Sequence, residues 1–496
     1  MKITNTLRKI FTPVDLTKGS IWKVIVLFSI PILISVLFQQ FYTLSDAAIV
    51  GQTLGSNEVA GINNTTNLVF LVLQFAFGCT AGFSVITSKK IGSKDNDGAR
   101  KSILVQIFLC LAISIILTIG AIFAIDVMLN WLGIFQSADV TKQAVYEAAA
   151  TYLFILFLGI TFQMFFNLII CILRSLGDSV TPLCFLILST LLNIALDFLF
   201  IVTFKMGVAG AAVATIISQS FAATCCFIYT FIRYKDLRFK KEDLKFSFSF
   251  VLEHLKVGLP LAFQFSILSI GLIVMQGSLI KFDILPSGEW VPGTPAQLGY
   301  GAGCKVINFM MCPFNALGTA MLSYCGQNYG AKEFKRIKKG TNQALIIMMI
   351  IYAIVLTIGL LSTINGGYQY IFLSPDKISS TSISYGNIYI YTALPLFMFL
   401  GALFVLRNCI QGIGKSLYPF LAGIGELFAR LLICMCLPPA INGGPINSLA
   451  SPASFIGLAL ADPLAWIFGL LCLSFAIYKF IYKQDYDIKD KIEVTK

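Results

Sequence analysis

Twelve long apolar runs decide what this chain can become. A helix needs roughly 20 mainly apolar residues to cross a bilayer. Runs of that kind fall at about 21–50, 58–87, 102–125, 144–173, 180–203, 208–232, 250–281, 297–327, 341–364, 382–409, 417–438 and 455–482. Several exceed the minimum, so tilted or kinked helices that protrude past the bilayer are expected. Of the 496 residues 57% are hydrophobic and only 12% charged, against about 25% charged in soluble proteins. One core cannot absorb that surplus, so it faces lipid, and the 43 Phe residues fit such a surface. The fold class is an all-α membrane protein.

The net charge of +12 would point to nucleic acid in a soluble chain. Here the placement of the charges carries the information. The second–third loop holds Lys89, Lys90, Lys94, Arg100 and Lys101. The sixth–seventh loop holds Arg233, Lys235, Arg238, Lys240, Lys241, Lys245 and Lys256. The eighth–ninth loop holds Lys332, Lys335, Arg336, Lys338 and Lys339, and the tail adds Lys483, Lys489, Lys491 and Lys496. The alternate loops are nearly free of bases: Lys142 in the third–fourth, Lys377 in the ninth–tenth, none in the eleventh–twelfth. Basic loops stay inside, so both termini are expected in the cytoplasm and the number of helices is even. The polar, basic stretch Met1–Ser20 is followed by no small-residue cleavage site, and the first run is too long for a signal peptide. It reads as a retained helix of a multi-pass plasma (inner) membrane protein.

Metal, redox and enzymatic chemistry find little footing. The 13 Cys lie mostly in apolar runs, and neither Cys225-Cys226 nor Cys434/Cys436 makes a C-x-x-C pair. The single His254 supports no metal cluster, and no Ser- or His-based constellation points to catalysis. No cofactor is expected. Two Pro-, Gly- and Ser-rich insertions, Leu285–Gln297 and Pro439–Pro452, read as outer loops.

The chain repeats itself. Ile91-Gly92-Ser93-Lys94-Asp95 aligns with Tyr329-Gly330-Ala331-Lys332-Glu333 at an offset of 238, which also brings Gly61 onto Gly299. Gly177 aligns with Gly414 and Pro182 with Pro419 at 237, Pro31 with Pro260 at 229, and Gly210 with Gly457 at 247. The offset changes only where an outer loop has grown. The expectation is two pseudo-symmetric six-helix bundles, an N-lobe over 1–245 and a C-lobe over 246–496, related by an axis along the membrane normal with the substrate path between them.

Intramembrane charges are costly, about 2.5–3.5 kcal/mol at the bilayer centre on insertion scales, and mark function. The candidates are Asp46, Asp197, Glu426, Asp462, Lys305 and Arg430. Asn193 and Asp197 are four residues apart and share a helix face. At 1.5 Å per residue, Asp197 lies roughly 22 Å above the start of its helix, Asp46 roughly 37 Å along the first, Thr215 roughly 12 Å in from the outside, and Asn167 roughly 15 Å above Gly177. These first-half groups can converge at similar depth, and such an oxygen set suits a small hard cation or a shared proton. Glu426 and Arg430, at i and i+4, can form a structural ion pair. Lys305 has no sequence-local partner; a buried acid elsewhere or an anionic substrate would account for it. Asp462 precedes Pro463 and can start a helical piece after a break. Pro31, Pro260, Pro313 and Pro395 are expected to interrupt their helices. At matched positions the second half has Met275 for Asp46 and Arg430 for Asn193, so the two halves share a scaffold but not their chemistry.

The run Gln39-Gln40-Phe41-Tyr42-Thr43-Leu44-Ser45-Asp46, followed by Ile49-Val50-Gly51, resembles the first-helix signature of the multidrug and toxic compound extrusion (MATE) family of the MOP flippase superfamily. Asn167 with Leu173-Arg174-Ser175-Leu176-Gly177-Asp178, Leu192-Asn193-Ile194-Ala195-Leu196-Asp197 with Gly207–Thr215, and Gln411-Gly412-Ile413-Gly414-Lys415 resemble its later signatures. The resemblance implies alternating access and efflux of amphipathic, often cationic, drugs or metabolites against inward Na⁺ or H⁺. By residue match, Asp46, Asn193, Asp197 and Thr215 would form the N-lobe cation network, with Asn167 nearby. Gln39 would line the substrate cavity, and Gln163, Gln264 and Lys305 are expected to line it too. Some family branches carry acids on helices 7 and 10; here the apolar parts of those segments have none, which leaves coupling to the N-lobe. The implied partners are membrane lipid and a small-molecule substrate, with no nucleic acid, and the chain is expected to work as a monomer. A lipid-linked oligosaccharide flippase of the same superfamily is the alternative, but it calls for a strongly basic cavity, and Lys305 and Arg430 are the bases read in the second-half helix interiors.

Overall fold

Apolar runs of this length fold as helices because, in lipid, the backbone must satisfy its own hydrogen bonds. The computed structural model describes residues 12–137, 139–374 and 378–483. Lys377, Lys489, Lys491 and Lys496, used above for orientation, lie outside the described residues. The spans are α1 (Ile21–Thr53), α2 (Ser56–Gly92), α3 (Asn96–Phe123), α4 (Val140–Leu158 and Ile160–Ser175), α5 (Val180–Asp197), α6 (Gly207–Arg233), α7 (Phe248–Ile280), α8 (Pro295–Gly330), α9 (Phe334–Ser362), α10 (Ser380–Ala393, continued by Phe397–Gly412), α11 (Leu417–Asn442) and α12 (Pro452–Ala459 and Ala461–Ile477). Among the described residues, eleven spans run without a sharp bend, and α4, bent by 49° at Gly159, makes the twelfth. The bend brings α6 close: a Cβ on Gly159 would collide with Ile216.

Three of the four prolines do not break their helices. Pro31, Pro260 and Pro313 sit inside continuous α1, α7 and α8. Only Pro395 changes the winding, through a tight 3-10 turn at Leu394–Leu396. Asp462 does lie in the first turn after a break in α12.

The described chain forms two units. The first comprises Met1–Ser266, Leu322–Glu333 and Gln411–Ser416; the second comprises Ile267–Met321, Phe334–Ile410 and Leu417–Lys496. The repeat is visible in the backbone. Lys94 and Lys332 both have positive φ, 59° and 60°, and so do Gly177 and Gly414, 81° and 80°. Gly61 packs against Val145 and Ala149 of α4, and Gly299 packs against the matched Ser382 and Gly386 of α10.

Inside the first unit the C-terminal ends of α2 and α8 cross on reciprocal glycines. A Cβ on Gly92 would stand 2.6 Å from the Gln327 carbonyl carbon, and one on Gly330 would stand 2.7 Å from that of Lys89. Backbone cannot yield there as a side chain can. Gly92→Ala is therefore expected to cost about 1–3 kcal/mol, read as a lowered melting temperature in detergent; an unchanged value would show that the crossing is loose. Nearby, Asp95 caps α3 through the Gly98 amide at 2.8 Å and meets Lys90 at 3.0 Å. The Gly98 amide first, then the Lys90 ammonium, hold its carboxyl below the ordinary range, so the cap weakens only as pH falls through that lowered value.

His254 is fully buried in α7, with Nδ1 at 2.8 Å from the Phe250 carbonyl and Nε2 at 2.8 Å from Ser102 Oγ. The two insertions are held by hydrogen bonds from backbone amides: Asp283 accepts from the Ala296 and Gln297 amides, both at 2.9 Å, and caps α8, while Ser448 N donates to the Ile284 carbonyl at 2.8 Å.

Candidate functional site

The N-terminal half of α6 opens with Gly207-Val208-Ala209-Gly210-Ala211-Ala212, and its buried small residues let α5 approach closely. That contact brings Thr215 to α1, where its hydroxyl lies 3.2 Å from the Tyr42 hydroxyl. Tyr42 and Asp46 are one turn apart, so both side chains address the same space. From α5, Asp197 reaches it too, and Asn193 lies one turn before it on the same face, both fully buried. Asp197 is the last residue before the helix widens into π-type turns over Phe198–Thr203, a distortion frequent at functional sites.

The carboxyls of Asp46 and Asp197 are within interacting distance of each other, and both lie within electrostatic reach of Tyr42 and of Tyr152 on α4. Gln219 comes within reach of the Tyr42 hydroxyl. Among the described residues, no Lys or Arg takes part in this group. Both Asp197 oxygens, Asp46 Oδ1, and the amide oxygen and nitrogen of Asn193 are shut off from solvent without a hydrogen-bond partner in the protein. Five such atoms on three residues are unusual, since a buried polar group left unpaired costs about 1–3 kcal/mol. The donor set is anionic and oxygen-rich, which fits a small hard monovalent cation or a proton shared between the carboxyls.

Asp46, Asp197 and Thr215 are brought together around Tyr42, and Asn193 stands one turn from Asp197 on the same helix. Asn167 spends its amide on α2, donating to Thr80. Tyr42 and Tyr152 belong to the group and were missed; the one-turn spacing of Tyr42 from Asp46 was the available signal. Of the expected cavity residues, Gln39 is exposed on α1. Gln163 and Gln264 are instead packed away, 4% and 0% exposed. At the α4 bend Gln163 turns back to the Leu156 carbonyl at 3.5 Å, and Gln264 accepts from Gln411 at 2.8 Å. Lys305 is exposed, with its ammonium 5.4 Å above the Phe372 ring rather than on a carboxylate.

The Glu426–Arg430 pair does not form. Glu426 is paired with Arg407 of α10, and Arg430 with Asp462 of α12 at 2.7 Å. Residues at i and i+4 are near on the helix surface, but buried charges take the partner that encloses them, here on neighbouring helices. Arg407 is also a buried base that the reading of the second half left out, 7% exposed.

A model of the MatE family matches residues 31–199 and 290–435. The chain belongs to the MatE family. A probable multidrug resistance protein of Bacillus subtilis (strain 168), YpnP, is 31% identical over 65% of this chain and 68% of its own. A second from the same organism, YoeA, is 25% identical over 94% of this chain and 96% of its own. Among solved structures, the outward-facing conformation of a multidrug resistance MATE family transporter of the MOP superfamily superposes with TM-score 0.79 at 23% identity, covering 95% of this chain and 98% of that one. This MATE protein is a multi-pass membrane transporter related to multidrug efflux proteins. The flippase alternative is not favoured, and both buried arginines of the second unit are already neutralised.

Proposed function

We propose that this protein is a cation-coupled antiporter that exports amphipathic, chiefly cationic, drugs or metabolites by alternating access. The observation that carries the reading is the set of unpartnered buried atoms on Asp46, Asn193 and Asp197. Two carboxyls without a base between them repel unless a Na⁺ or a proton joins them. A bound cation, which favours the conformation that encloses it, therefore shifts the population of states, as a driving ion must. Thr215 and Tyr42 supply the neutral oxygens. Coupling belongs to the N-lobe, 1–245, while the C-lobe, 246–496, supplies the repeated scaffold. Gln39 and Lys305 are the exposed groups that would meet the substrate. No cofactor and no nucleic acid enter the cycle, and the monomer, embedded in lipid, is the working unit. The basic loops set the plasma membrane orientation with both termini in the cytoplasm.

Proteoliposomes loaded with an amphipathic cationic dye test this. An imposed inward Na⁺ or H⁺ gradient is expected to drive dye movement well above that of protein-free vesicles. Equal rates with and without either gradient would exclude coupling.

A further inference from the structure

The repeat offsets carry the first-unit site onto a second constellation. At 237, Asn193 falls on Arg430, Asp197 on Cys434 and Tyr152 on Tyr389. At 247, Thr215 falls on Asp462, and at 229, Tyr42 falls on Gly271 and Asp46 on Met275. These matched residues also meet in space. Arg430 Nε donates to Asp462 Oδ1 at 2.8 Å, and the Tyr389 hydroxyl donates to Asp462 Oδ2 at 3.2 Å. Arg430 is 4% exposed and Asp462 6%. A Cβ on Gly271 would collide with the Arg430 guanidinium, so the position that carries the Tyr42 phenol in the first unit is emptied in the second to admit that group. The charge balance changes with it. The first unit gathers two carboxyls and no base; the second gathers one carboxyl and one guanidinium.

We propose that the second unit contains a silenced copy of the cation site, in which the Arg430 guanidinium is a tethered cation on Asp462 and denies that carboxylate to Na⁺ or H⁺. The inference rests on the reading of the first unit as a cation site. It makes Arg430 a specificity device that limits the protein to one coupling site. Around Asp462 the ionisable neighbours are Arg430 and Cys434 on α11, Tyr389 on α10, and Tyr300 and Cys304 on α8; Arg407 on α10 lies within electrostatic reach of Arg430. With Arg430 neutralised, Asp462 would face Tyr and Cys groups and one remaining base, Arg407, which is already paired to Glu426.

Thermal unfolding of the full-length protein in detergent tests this, with choline replaced by Na⁺ at constant ionic strength and, separately, with pH lowered. Arg430→Asn, which restores the residue of the first half, is made in wild type and in Asp197→Asn. Asp197→Asn alone is expected to lose the ion response. Adding Arg430→Asn is expected to restore a rise of a few degrees with Na⁺ or with acid, and Asp462→Asn on top is expected to remove it. An Arg430→Asn protein whose melting responds to neither ion nor pH beyond its parent overturns the proposal. If wild type shows no ion response but Arg430→Asn gains one that Asp462→Asn abolishes, the first-unit reading fails while the latent carboxylate site stands. Should Arg430→Asn aggregate in choline at neutral pH, its recovery by Na⁺ or acid supports the proposal. Aggregation in every buffer, with Arg430→Asn/Asp462→Asn soluble in all, overturns it.

Discussion

Asp197→Asn is expected to abolish gradient-driven export while the protein remains folded. The amide has the shape of the carboxyl, and removing one of two facing negative charges relieves repulsion with Asp46, so no loss of stability follows. What disappears is a charged ligand. A hydrogen bond or contact to a charged group contributes about 1.5–3 kcal/mol, roughly a 10- to 150-fold loss of cation affinity. The two candidate ions separate here. An asparagine cannot titrate, so under H⁺ coupling the loss is complete at every pH. Under Na⁺ coupling, raised Na⁺ recovers part of the rate. Tyr42→Phe removes one neutral oxygen, with its contacts to Thr215 and Gln219, each worth about 0.5–1.5 kcal/mol, and is expected to slow export a few-fold. Dye efflux from proteoliposomes under separate Na⁺ and H⁺ gradients checks all three. Wild-type rates for Asp197→Asn under both would remove the coupling role from this residue.

The sequence announced the scaffold and half of the chemistry, for a physical reason. Span lengths, basic loops and repeat offsets are set by the bilayer and by the chain itself, so they can be read one residue after another. The Asn193–Asp197 face is equally local, a single helix turn. Tertiary partners are not local. Glu426 had a base one turn away in Arg430, yet Arg407 from another helix encloses it. Arg407 itself stands near the end of an apolar run, where a base reads as lying at headgroup level. Asn167 is at a suitable depth by the rise along its helix, yet its amide is taken by Thr80 of another helix. Prolines were a weaker guide than Gly159: α1, α7 and α8 pass through theirs, whereas α4 bends where a side chain would strike α6.

Glu426→Gln is expected to be among the most destabilising single changes in the second unit. Glu426 is 1% exposed and Arg407 7%, and Gly469 makes room for the carboxylate, since a Cβ there would lie 2.6 Å from Oε1. Removing one charge leaves the guanidinium buried and unpaired, a loss of about 3–5 kcal/mol. Removing both is different. Arg407→Met with Glu426→Leu eliminates the desolvation of two ions and keeps the volume filled, so stability close to wild type, or up to about 1–4 kcal/mol above it, is expected. The contrast separates a pair that holds the helices together from one whose members merely cannot be parted. Melting temperatures of Glu426→Gln and of the double, measured in one detergent against wild type, decide it. If the double falls as far as Glu426→Gln, the pair itself carries stability that apolar packing cannot replace, and the desolvation argument fails for this helix contact.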